Sequence, residues 1–71
     1  MDELKSKKEY AYVQIKLYNH INALDDLLKK YINNSNSVSY KQISNLNKTI
    51  SKLLVHSEKL KQNLIYFELV G

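Results

Sequence analysis

From Met1 to Val70 the chain contains neither proline nor glycine. These residues interrupt helices most strongly, costing about 3 and about 1 kcal/mol relative to alanine in a helix interior. Without them, a helix can end only where other residues compete for the backbone. One stretch does so, "NNSNSVS" at residues 33–39. Asn and Ser side chains bond to nearby backbone groups and favour turns and caps. Asn33 and Asn34 are candidates for the left-handed conformation that closes a helix. The pattern predicts an all-α chain with a single domain over 1–71. Helix 1 covers about 2–32, the loop 33–39 and helix 2 about 40–67, with an apolar tail at 64–71.

The start of helix 2 carries two signals. Ser39 followed by Gln42 fits a capping box, and Val38 and Ile43 occupy the two positions of a hydrophobic staple around it. In helix 1, Tyr10, Gln14, Leu17, Ile21, Leu24, Leu28 and Tyr31 recur by four and three, a heptad seam with one polar member. Ala11, Tyr18 and Ile32 flank it on one side; Val13, His20 and Leu27 flank it on the other. This face is wider than one partner helix can cover. Asp2 and Glu3 near the start and Lys29 and Lys30 near the end suit the helix dipole, and Asp25–Lys29 and Asp26–Lys30 are spaced for i,i+4 pairing.

Helix 2 repeats the pattern with Ile43, Leu46, Ile50, Leu53, Ser57, Leu60, Leu64 and Phe67, with Leu54 widening it slightly. Lys41, Lys48, Lys52 and Lys59 share a narrow arc on the opposite side. The short loop folds the helices back antiparallel. With 71 residues and no cysteine, the chain can build neither a large core nor a disulfide staple. Self-association is the remaining route, so the sequence predicts a homodimer of hairpins resembling a four-helix bundle. Leu17, Ile21, Leu24, Leu28, Ile43, Leu46, Ile50, Leu53 and Leu60 would form its core and dimer contacts.

The chain ends on "NLIYFELVG". Leu64 and Phe67 continue the seam of helix 2, but Ile65, Tyr66 and Leu69 turn toward its polar side. Tyr66 lies seven residues after Lys59, on the lysine arc itself. A helix that is apolar all round needs burial on more than one side. Three readings fit: burial at the far end of the bundle, departure from the helix as a strand, or a terminal segment that docks on a partner.

Other constellations carry less. The net charge is +4 and every cation is lysine. Arginine, the usual bidentate reader of guanine and phosphate, is missing. The lysine arc reads first as a solvated face and second as a weak nucleic-acid contact. The lysine, asparagine, isoleucine and tyrosine bias also matches an AT-rich genome. His20 and His56 sit beside the seams as packing residues. No nucleophile–base pair, phosphate loop or di-metal carboxylate set is present, so the expectation is a non-enzyme with no catalytic residue, cofactor or metal. No apolar run reaches the roughly 20 residues of a membrane span, and no signal-peptide pattern opens the chain. A soluble intracellular protein is expected, with no membrane partner. Gln14 and Ser57 interrupt apolar seams, either as tolerated edge polarity or as a device that fixes register.

A small, cysteine-free, Lys/Asn-rich helix–loop–helix ending in "NLIYFELVG" resembles the internal scaffolding proteins of staphylococcal pathogenicity islands. These capsid morphogenesis proteins redirect a helper phage's coat protein into a smaller shell. The resemblance implies an all-helical dimer in the bacterial cytoplasm, inside procapsids during assembly. It implies that Leu64, Ile65, Tyr66, Phe67, Leu69 and Val70, with Glu68 as a polar contact, bind the phage major capsid protein. The competing class is a dimeric regulatory module that binds a repressor-like protein, or DNA through Lys41, Lys48, Lys52 and Lys59.

Overall fold

A computed structural model describes residues 3–70, with side chains through residue 69. Asp2, the expected start of the first helix, and Gly71 lie outside the described residues, as does the side chain of Val70. Two α-helices of equal length account for nearly all of it: α1, Glu3–Asn33, and α2, Tyr40–Val70. They pack against each other as a hairpin, a rod measuring 53 × 15 × 14 Å.

The loop closes through its own polar side chains. Asn34 N–H donates to the Lys30 carbonyl at 2.8 Å, completing the last turn of α1. The Asn34 carbonyl then accepts from Ser37 N–H at 3.0 Å and from its hydroxyl at 2.7 Å. Asn34 Oδ1 accepts from Asn36 N–H at 3.2 Å. No described residue has a positive φ. The expected left-handed closure at Asn33 or Asn34 is therefore replaced by side-chain bonding, a route open to Asn and Ser without the strain of that conformation.

Helix α2 starts on a reciprocal capping box. Gln42 N–H donates to Ser39 Oγ at 3.2 Å, and Ser39 N–H donates to Gln42 Oε1 at 2.9 Å. Val38 and Ile43 beside it are both buried, as a hydrophobic staple requires. The dipole pattern also holds on α1, with Glu3 in its first turn and Lys30 in its last.

The rotation of α1 is the main departure from the heptad expected. Val13 and Leu17 are buried, and Tyr10, His20, Leu24 and Leu27 are half-buried. Ile21 and Leu28, expected in the seam, remain 45% and 40% exposed. The face against α2 therefore follows 10, 13, 17, 20, 24, 27 rather than 10, 14, 17, 21, 24, 28. Both frames step by three and four and share Tyr10, Leu17 and Leu24, so periodicity alone does not separate them. One helix covers only one frame fully: of the residues peculiar to the other, Gln14 is half-buried at the border and Ile21 and Leu28 stay outside. On α2 the expected seam holds: Ile43, Ile50 and Leu60 are buried, and Leu46, Leu53, Ser57, Leu64 and Phe67 are half-buried.

Near the middle of the seam, Gln14 Nε2 donates to Ser57 Oγ across the two helices. The two polar interruptions of the sequence are thus one paired layer. It fixes the level of the helices: residues before Gln14 lie beside residues after Ser57. Ser6, also on the α1 seam, is 1% exposed, and its Oγ has no hydrogen-bond partner among the described residues.

Candidate functional site

The last two turns of α2 gather the residues of the candidate docking site. The helix runs without a break to Val70, three residues past the expected end, so the strand reading of the tail falls. Pairing across the Gln14–Ser57 layer places these turns level with the first turns of α1. That contact covers one side only. Leu64 and Phe67 are half-buried, whereas Ile65 is 39%, Tyr66 62% and Leu69 82% exposed. The division follows the helix: residues on the seam face α1, and the others leave it by more than the width of one contact.

Tyr66 and Phe67 interact edge to face, with centroids 6.2 Å apart and planes at 66°. A ring half-held by the core thus orients a ring that is mostly outside it. Glu68 is also exposed. It sits at the helix C-terminus, where the dipole disfavours an anion, and no basic residue occupies that last turn. The end of α2 therefore departs from a stable terminus in two ways: an uncovered apolar surface and an adverse charge. Both would be relieved by a partner that supplies apolar contact and a hydrogen-bond donor or cation.

The lysine arc stands apart from this site. Lys41, Lys48, Lys52 and Lys59 are all exposed along α2. Among the described residues, no helix is long and apolar enough to cross a membrane, and no group of His, Asp or Glu could hold a metal ion. His20 is half-buried and its Nδ1–H donates to the Lys16 carbonyl at 2.6 Å, which occupies that nitrogen within its own helix. His56 is exposed rather than packed beside the seam, because it falls on the outer side once Ser57 faces Gln14.

A second apolar surface runs along α1, on a side that α2 leaves open. Tyr18, Ile21, Leu28 and Ile32 are exposed there together with Ala11. Around Tyr18 the surface forms a shallow, open depression, with Gln14, Leu17 and Ile21 among its walls. Ile15, 58% exposed, lines the same depression from farther round α1. It belongs to neither heptad frame, so sequence periodicity does not single it out. The Asp25 carboxylate bonds Lys29 at 2.8 Å near the far end of this surface and holds the lysine pKa above its usual value. The expected Asp26–Lys30 pair is not among the ion pairs of the described residues. No protein-family model, curated protein sequence or solved structure matches the chain.

Proposed function

We propose that the chain is a non-enzymatic assembly factor, a dimeric internal scaffolding protein. It binds phage coat protein through the last turns of α2 and redirects capsid assembly to a smaller shell. The observation that carries this reading is the exposure of Ile65, Tyr66 and Leu69 at the end of a 53 Å rod. The resemblance of "NLIYFELVG" supplies the class of partner. Aromatic and aliphatic anchors on one helical segment suit a groove on another protein. Two such tails on a dimer would bridge neighbouring coat subunits. Their weak individual contacts would gain strength from repetition in the shell.

The test is co-expression with the helper phage's coat protein, using the whole chain and a chain lacking residues 64–71. The scaffold reading expects the truncated chain to remain folded and associated while small shells disappear. A folded truncated chain that still redirects assembly would place the docking site elsewhere. Loss of folding would assign the tail to the core.

The exposed lysine row supports a competing regulatory reading in which the chain binds DNA. Salt separates the two. Lysine–phosphate binding weakens steeply as salt rises, whereas docking by an apolar tail changes little.

A further inference from the structure

The geometry points to a second copy of this chain as the occupant of the open face of α1, packed antiparallel about a twofold axis level with residue 16. This inference rests on the dimeric reading above and specifies its interface. The open face runs through Ala11, Tyr18, Ile21, Asp25 and Leu28, in heptad register with the half-buried Gln14 at its border with the hairpin seam. It lies about 100° around the helix from the face that meets α2. The depression beside Tyr18 is lined by Gln14, Ile15, Leu17, Tyr18, Asn19 and Ile21; four of these, Gln14, Leu17, Tyr18 and Ile21, stand at i, i+3, i+4 and i+7, the spacing that frames a coiled-coil hole.

The amount of exposed surface fits. The chain exposes 5651 Å², against about 4,600 Å² for a compact monomer of its mass. The excess is comparable to the roughly 800 Å² that each partner buries in a standard interface. The outer arc of α2 is lysine-rich, so α1 is the better face to meet a copy of itself.

Charge and size select the direction. Lys7 and Asp25 stand equally far on either side of residue 16, as do Ala11 and Ile21, and Gln14 and Tyr18. An antiparallel pair therefore sets Lys7 against the partner's Asp25 and Ala11 against the partner's Ile21. It also sets Gln14 against the partner's Tyr18. Every pairing is complementary in charge, bulk or polarity. An in-register parallel pair would set Lys7 against the partner's Lys7 and Asp25 against the partner's Asp25. Lys7 and Asp25 are both exposed in the hairpin, in surface pairs with Glu3 and Lys29 that a partner can share.

This arrangement determines the spacing of the two tails. Tyr66 is level with residue 5 of α1 through the Gln14–Ser57 layer. The two Tyr66 residues are then separated by roughly 33 Å along the rod, at 1.5 Å per residue. The particle is two-headed, with one docking tail toward each end.

Two measurements test this. The chain has no cysteine, so Lys41→Cys offers a single attachment point for a spin label, at an exposed position outside both apolar faces. The antiparallel dimer places the labels about 42 Å apart along the axis, whereas a parallel dimer keeps them below about 30 Å. The second measurement is sedimentation equilibrium of Lys7→Glu, Asp25→Lys and the double variant, with helicity checked for each. Each single change is expected to weaken the dimer by about tenfold through two repelling pairs. The double variant is expected to recover it. A short label distance, or a double variant no tighter than the singles, overturns the antiparallel interface while leaving a two-tailed dimer standing. A monomeric wild-type chain overturns both.

Discussion

The Gln14–Ser57 layer makes a quantitative prediction. Removing the hydroxyl with Ser57→Ala leaves the Gln14 amide without its partner across the hairpin. A hydrogen bond of this kind contributes about 0.5–1.5 kcal/mol, and abandoning a buried polar group costs about 1–3 kcal/mol. Both residues are half-buried, so water satisfies part of the abandoned amide. The expected loss is about 1 kcal/mol. In a domain of this size that lowers the melting temperature by about 4–8 °C. Gln14→Leu alone strands the smaller hydroxyl and adds apolar contact, so its net effect is smaller. The double variant removes both partners and should be more stable than the sum of the singles predicts. Urea denaturation followed by helical circular dichroism, at one fixed chain concentration, yields the coupling energy of the cycle. The expected value is about 1 kcal/mol. A coupling below about 0.3 kcal/mol, the scatter expected for independent sites, would refute the idea that this pair holds the helices in register.

Three further changes are predicted from the same structure. Ser6→Ala removes a buried hydroxyl with no partner among the described residues and should raise stability by about 1 kcal/mol, measured in the same denaturation assay. Ser39→Ala breaks the capping box and should cost about 1 kcal/mol, with hydrogen exchange accelerating first in the opening turn of α2. Glu68→Lys reverses the adverse charge at the end of α2 and should raise the melting temperature through a gain of about 0.3–1 kcal/mol. The same change should weaken capture of coat protein if Glu68 is a polar contact in the docked tail.

Much of this architecture is legible before any coordinates, because its signals are local. A chain free of proline and glycine until its last residue, with one Asn/Ser run, has few places to turn. The capping box and staple at Val38, Ser39, Gln42 and Ile43 mark the start of α2 within a few residues of one another. The rotation of α1 is not local. Tyr10, Leu17 and Leu24 belong to two equally periodic frames, and only packing against α2 decides between Val13 and Gln14, or between Leu27 and Leu28. Ser6 is silent in the sequence for a related reason: a small polar residue gives no apolar signal, yet its position on the seam buries it. The docking candidates Ile65, Tyr66 and Leu69 were visible as a break in amphipathic pattern. The predicted helix takes in Ile65 and Tyr66 but stops at about residue 67, since β-branched and aromatic content also suits a strand; α2 continues through Leu69. The pairing of Gln14 with Ser57 joins two residues far apart in sequence, and required the level of the two helices to be known.

The hairpin brings residues 3 and 70 to the same end of a 53 Å rod, which gives the molecule a mechanical polarity. A pull between these two ends opens the seam as a zipper, one layer at a time, each step resisted by only a few side chains. The first layers in its path are those of Ser6, Leu64 and Phe67; those of Tyr10, Leu60 and Val13 follow, and then the Gln14–Ser57 clasp. A load passed along the rod instead strains many layers in parallel. The same small protein is therefore stiff when used as a strut and easily peeled from its terminal end.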